Sequence, residues 1–259
     1  MAPLRIYRDD APDPARPDPA EAALLAAVEL LRPPPVRPPA RRELEPYSRA
    51  WFEELELMRY APHGVWLRRA LEFTRHAGES LLMLGPGVGS DAVQYHRHEV
   101  QVTVCGGPAD RLDLVRRNFA LRGLGVRLAA VAPDGTLPFS RGAFDLAYLN
   151  LLSAPTPDLS GTAAELYRVL KPGGKVFVLA PARRRFRRSA PGFLARGLRR
   201  QFPSFAEHRL IRRHLRRSEL PYLLRPIPVG LLERLLGRVL VLRAFKPVSA
   251  ALEAIQPAA

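Results

Sequence analysis

Leu81-Leu82-Met83-Leu84-Gly85-Pro86-Gly87-Val88-Gly89-Ser90-Asp91 is the stretch on which the fold turns: four apolar residues run into Gly-x-Gly-x-Gly and then into a polar segment. Such a run reads as a strand buried on both faces. The glycines let the backbone turn sharply and approach a ligand closely, and the free amides opening the next helix favour an anionic group. A dinucleotide fingerprint would carry Gly or Ala where Ser90 stands, which points away from a nicotinamide cofactor.

The same rhythm continues downstream. Gln101–Cys105, Val126–Val131, Ala143–Asn150 and Lys175–Ala180 read as strands, with helices expected at 90–98, 108–122 and 159–170. Strands alternating with helices imply βαβ units and a parallel sheet covered on both faces. After Pro181 the sequence predicts a strand near 207–215, a helix near 229–236 and a strand over Arg238–Phe245. Upstream, apolar residues recur at three and four (Trp51, Leu55, Met58; Leu67, Leu71), predicting helices over Tyr47–Arg59 and His63–His76. There is no internal repeat.

Of 259 residues, 47% are hydrophobic and 25% charged, enough apolar material for a sizeable core. Eleven of the 27 prolines fall in residues 1–46, so that segment reads as a largely disordered tail. One short helix is expected within it, where Asp18 caps, Pro19 starts and Glu21 precedes the run Ala22–Leu31. A single domain is expected over 47–247: N-terminal helices at 47–78, a ligand-binding core at 80–181 and an Arg-rich variable segment with closing strands at 182–247. Residues 248–259 form a second tail. The sole cysteine, Cys105, excludes an internal disulfide or a Cys-based zinc site. Without a long apolar run or a signal-peptide core in Met1–Arg16, a soluble, cytoplasmic protein is expected.

The formal net charge of +15 is local: residues 183–217 hold 13 arginines against Glu207 alone, and the remaining chain carries 27 basic and 24 acidic residues. Leu194, Leu198 and Phe202 with Arg196, Arg199 and Arg200 make a basic amphipathic helix suited to anionic lipid or an acidic, lipid-like acceptor. Arg183, Arg184, Arg185, Arg187 and Arg188 around Phe186 suit RNA or another anionic surface. A solvated insertion is the bland reading of the same charge.

Three further motifs follow the glycine loop in order. They are Asp134-Gly135-Thr136-Leu137-Pro138-Phe139, then Gly142-Ala143-Phe144-Asp145-Leu146-Ala147-Tyr148-Leu149-Asn150, then Tyr167-Arg168-Val169-Leu170-Lys171-Pro172-Gly173-Gly174-Lys175. Over about residues 80–181 the chain resembles the class I S-adenosylmethionine (AdoMet)-dependent methyltransferases, in their small-molecule, type 11-like branch. Arg238–Pro247 looks like their closing strand.

The resemblance implies a Rossmann-like, seven-stranded, mostly parallel α/β sheet with its last strand antiparallel and helices on both faces. AdoMet would lie across the carboxyl ends of the central strands. Gly85, Pro86, Gly87 and Gly89 would line its methionine side, with Asp91 orienting the amino-acid moiety. Asp134 and Gly135 would contact adenine, and Asn150 and Leu151 would face the reacting centre. The reaction implied is methyl transfer to an O, N or C nucleophile of a small-molecule or lipid-like acceptor.

One position departs from the pattern. Where the family ends its second strand in an acid that binds the ribose diol, this chain has Gly106, a loss of about 1.5 to 3 kcal/mol unless Asp110 replaces it. Two alternatives follow: an RNA methyltransferase that uses the Arg-rich segment, and a catalytically silent binding module. No catalytic base or metal site is assigned. His63, His208 and His214 are lone candidates for a base, His96 and His98 cannot share a helical face, and Trp51 and Tyr60 read as core. Asp145 reads as a structural acid at a strand start.

Overall fold

The computed structural model describes residues 44–61, 64–106, 112–153, 158–183, 192–215 and 228–248. The tail expected over 1–46 lies outside them except for residues 44–46, as do Asp110, Arg184, Arg185, Arg187, Arg188 and residues 249–259.

Helix α1 (Arg49–Tyr60) starts where the Ser48 hydroxyl accepts from Trp51 N. The helix expected over 63–76 is instead a short α2 (Trp66–Ala70) and a 3-10 turn (Phe73–Arg75), because Glu72 between them adopts φ 53. The left-handed conformation ends a helix. Then follow β1 (Ser80–Leu84), α3 (Ser90–Arg97), β2 (Gln101–Gly106), α4 (Leu112–Ala120), β3 (Arg127–Ala130) and β4 (Phe144–Asn150). The chain continues through α5 (Leu159–Val169), β5 (Leu170–Pro181), α6 (Ala195–Arg200), β6 (Ala206–Arg213), α7 (Val229–Leu236) and β7 (Val239–Phe245).

One seven-stranded sheet has the order β3-β2-β1-β4-β5-β7-β6. All neighbours are parallel up to β5, and β7 pairs antiparallel with both β5 and β6. Alternate residues of each strand feed opposite cores, as the period of two requires. Leu82, Leu84, Ala147, Leu149, Val176 and Val178 pack with Leu159, Leu166 and Phe202 from α5 and the end of α6. Leu81, Met83, Val104, Leu146, Tyr148 and Phe177 pack with Leu67, Val93, Val115 and Phe119 from α2, α3 and α4. The apolar runs of the central strands are therefore continuous because both faces are buried. Among the described residues no helix is long and apolar enough to cross a membrane.

Candidate active site

The strand order reverses direction at β1 and β4, which leave the sheet centre on either side of the glycine loop. In an open parallel sheet, ligands bind outside the carboxyl ends of the strands at such a switch point. Gly85 (φ 66), Gly87 (φ 56) and Gly89 (φ 81) all take the left-handed region there. Gly89 N donates to Pro86 O at 2.9 Å, and Val93 N donates to Gly89 O at 2.9 Å, so the loop closes directly onto α3. At Gly89 a side chain is excluded twice over: by φ, and because a Cβ would sit 3.1 Å from Val115 Cγ1. Behind the loop, Asn118 Nδ2 donates to Val88 O at 2.7 Å.

Asp91, in the first turn of α3, is buried, and its carboxylate is fully committed inside the protein. Oδ1 accepts from Arg59 Nε at 2.6 Å and from the Tyr60 hydroxyl at 2.5 Å. Oδ2 accepts from Arg59 Nη2 at 2.5 Å and from the Tyr148 hydroxyl at 2.7 Å. A carboxylate has about four lone-pair sites, so all are used. Burial works to push the carboxyl up, yet the Arg59 guanidinium and the two hydroxyls hold it below the usual carboxylate range. Burial with the Asp91 charge pushes both tyrosine hydroxyls well above theirs. Asp91 thereby clamps α1 and β4 to the glycine loop.

The other expected site residues line the same edge. Gly106 closes β2 in extended backbone, pairs with Ala130 and accepts from Val131 N at 2.9 Å. Asp134 and Gly135 form an exposed turn beyond β3, in which Asp134 Oδ1 accepts from Thr136 N at 2.9 Å. That backbone hydrogen bond, with the Thr136 side chain, holds the Asp134 carboxyl below its usual range. Asn150 ends β4, donating to Ser153 Oγ at 2.9 Å and accepting from Leu152 N at 3.1 Å. Leu151 N donates to Leu179 O at 2.8 Å, which ties this turn to β5.

Strands β1 to β5 end here in the uncharged Leu84, Gly106, Ala130, Asn150 and Pro181, and β6 ends in Arg213. Among the described residues, the edge offers a close backbone approach at the glycine loop and an exposed carboxylate at Asp134, with the uncharged end of β2 between them. These features fit a ligand such as AdoMet that carries a short amino-acid arm and a nucleoside, with no acid supplied by β2 to the ribose.

Among the described residues, no cluster of His, Cys, Asp or Glu is arranged to hold a metal. His208 contacts Phe202 O at 2.8 Å, and His96 packs on the Phe119 ring. Asp145 is the structural acid expected, accepting from Ser80 N at 3.0 Å, Ser80 Oγ at 2.7 Å and Lys171 Nζ at 2.7 Å. Sequence reasoning missed Arg59, Tyr60 and Tyr148 as partners of Asp91. The available signal was the tyrosine in an apolar strand, whose hydroxyl needs a buried acceptor.

The sheet order and the glycine loop define a Rossmann-like α/β domain with a candidate ligand edge at the carboxyl ends of its central strands. Residues 82–178 match the Methyltransferase domain family. The ubiquinone/menaquinone biosynthesis C-methyltransferase of Desulfotalea psychrophila is 34% identical over 101 residues, which cover 38% of this chain and 40% of that protein. The demethylmenaquinone methyltransferase of Thermus thermophilus is 34% identical over 117 residues, covering 44% of this chain and 53% of that protein. The chain thus spans about half the length, or less, of these relatives. Among solved structures, geranyl diphosphate C-methyltransferase from Streptomyces coelicolor superposes with a TM-score of 0.56 at 18% identity, covering 90% of this chain and 94% of that one. Phosphoethanolamine N-methyltransferase 2 from Haemonchus contortus, in complex with AdoMet, superposes with a TM-score of 0.54 at 15% identity, covering 78% and 58%. Likeness at that identity concerns the fold.

Proposed function

We propose that the chain transfers a methyl group from AdoMet to a small-molecule acceptor, with a lipid-like, quinone-type molecule as the first candidate. The glycine loop carries the reading: three left-handed glycines at the carboxyl edge of β1, running into a buried helix start. The names of the relatives, a ubiquinone/menaquinone biosynthesis C-methyltransferase and a demethylmenaquinone methyltransferase, support the acceptor class.

When bound, AdoMet supplies an electrophilic methyl on its sulfonium, so the protein's task is to align a nucleophile and exclude water. Gly85, Pro86, Gly87 and Gly89 bring backbone against the amino-acid arm. Asp91 acts from behind the loop as a positioning residue, since its oxygens already hold four donors. Asp134 and Gly135 border the adenine, Gly106 lies beside the ribose, and Asn150 and Leu151 face the acceptor. No base is assigned, and a nucleophile that ionises easily needs none. The buried sole cysteine suits a reducing, cytoplasmic setting.

Calorimetry with AdoMet and S-adenosylhomocysteine tests the site, and absence of binding at millimolar ligand overturns the reading. Labelled AdoMet incubated with a small-molecule and lipid extract or with bulk RNA tests the acceptor. Label is expected only in the former. Label in RNA overturns the small-molecule reading, and binding without turnover leaves a silent module.

A further inference from the structure

α7 hangs at the carboxyl edge of the sheet. Its chain enters β7 at Val239, which pairs with Pro181, the last residue of β5. Polar contacts lock the helix to the end of β6: Arg212 Nη1 donates to Leu235 O at 2.7 Å, Arg213 Nη1 to Glu233 Oε2 at 3.1 Å, and His214 N to Glu233 Oε1 at 2.6 Å. Leu232 is buried beneath it. On the outer side, Leu231 and Leu235 are 58% and 65% exposed, one turn apart on a common face. A helix that ties down its polar groups and turns two leucines outward presents an apolar surface to something.

Charge says what that something is. Of the eight arginines in residues 192–215 and 228–238, Arg212 and Arg213 are spent on α7 itself, and the acids there are Glu207 and Glu233, the latter occupied by Arg213. Arg209 and Arg234 are exposed alongside the leucines' helix and strand. We propose that α7 and the edge strand β6 form a docking surface for an anionic lipid bilayer, with Leu231 and Leu235 entering the acyl boundary and the arginines meeting lipid phosphates. Such a helix lies in the interface plane, basic on its polar side and apolar on the other. A nucleic acid would satisfy the arginines but leave the leucines in water, and an apolar protein partner would leave the arginines uncompensated. The position gives the surface a purpose: it places the carboxyl edge, where a lipid-like acceptor would meet AdoMet, against the membrane that holds such an acceptor. Only that purpose rests on the proposed function, since docking itself needs neither cofactor nor acceptor.

The full chain is sedimented with phosphatidylcholine vesicles with and without phosphatidylglycerol, at low and high salt, in the absence of AdoMet. Retention is expected on the anionic vesicles, falling with salt as exposed charge pairs are screened. Leu231→Gln/Leu235→Gln, which adds no charge, should weaken retention about tenfold or more, as lost insertion of two leucines requires. Its melting temperature should not change, because both side chains are exposed. Failure of the parent chain to bind anionic vesicles overturns the proposal, and so does equal retention of the parent and the double variant. Bulk RNA displacing vesicles equally well from both proteins would reassign the surface to nucleic acid. Calorimetry with S-adenosylhomocysteine on the same samples keeps this result apart from a failure of the methyl-transfer reading.

Discussion

The two edges of the sheet treat charge in opposite ways. At the amino edge Glu72 gathers Lys175 Nζ at 2.7 Å, His76 Nε2 at 3.3 Å and the Arg243 guanidinium, while Asp145 gathers Ser80 and Lys171. Lys246 Nζ there donates to Tyr167 O and Leu170 O, both at 2.8 Å. Glu72 does this from a left-handed backbone, a strain of about 1 to 2 kcal/mol that its ion pairs offset. At the carboxyl edge β1 to β5 end in uncharged residues and β6 in Arg213, while the conspicuous acid, Asp91, has turned inward to Arg59. The contrast shows where the polar interactions that define the fold are placed: at the amino edge and behind the glycine loop. Among the described residues, the rim above β1 to β4 is left with backbone groups, the Asn150 side chain and the exposed Asp134, a surface on which a ligand displaces water rather than an internal partner.

Variants that move a group from one regime to the other test this contrast. The largest effect is expected at Asp91. Asp91→Asn keeps the shape but leaves Arg59 buried without its anion, costing about 3 to 5 kcal/mol in chemical denaturation. Arg59→Met with Asp91→Leu, combined with Tyr60→Phe and Tyr148→Phe so that no buried hydroxyl loses its acceptor, should regain most of that loss. A small stability change with a large loss of AdoMet affinity would instead make Asp91 a ligand contact.

Glu72→Gln comes next, at about 1.5 to 3 kcal/mol, because its cationic partners lose a charged acceptor. Both carboxyls add a pH signature. Burial opposes ionisation of Glu72, but Lys175 and Arg243 hold it below the usual range, as Arg59 holds Asp91. The stability they contribute is complete above the ordinary carboxylate value, about 4, and is lost as pH falls through their lower folded values. The acid limb of the parent's stability curve should therefore be steeper than that of either variant.

At the rim, Gly106→Asp should tighten AdoMet by about 1 to 2 kcal/mol after desolvation of the new charge. Its extended backbone accepts a side chain without left-handed strain. Unchanged affinity in a variant that is folded by circular dichroism would move the ribose elsewhere or hand it to Asp110, and Asp110→Ala separates the two. The smallest structural effect belongs to Asp134→Ala. Thermal melting should be unchanged, since the carboxylate is exposed and serves only the amide and side chain of Thr136, while calorimetry should record weaker AdoMet binding.

Much of this was legible from local pattern. The apolar run before Gly85 and the alternation of strand and helix each specify their elements through neighbours a few residues away, whereas the strand expected over Lys175–Ala180 runs from Leu170 to Pro181 and takes in Pro172-Gly173-Gly174, because Leu170 pairs with Phe144 across the sheet. β6, α7 and β7 lie within about two residues of the positions their patterns predict. The helix over 63–76 failed for a reason of the opposite kind: it is interrupted at the left-handed Glu72, whose carboxylate pairs with Lys175 and Arg243, and neither is near it in sequence.

Taken alone, the sequence determined the class of fold and the order of its elements, because periodicity and turn chemistry act over a few residues. It also located the charge in one segment. Tertiary structure decided what the charged groups do. Arg59, Tyr60 and Tyr148 reach Asp91 across separations of 32, 31 and 57 residues, and only packing of α1 and β4 against the glycine loop brings them together. The same packing decided which leucines of α7 face outward: an amphipathic pattern marks two faces, but the contacts of Arg212 and Arg213 choose the one that meets the sheet.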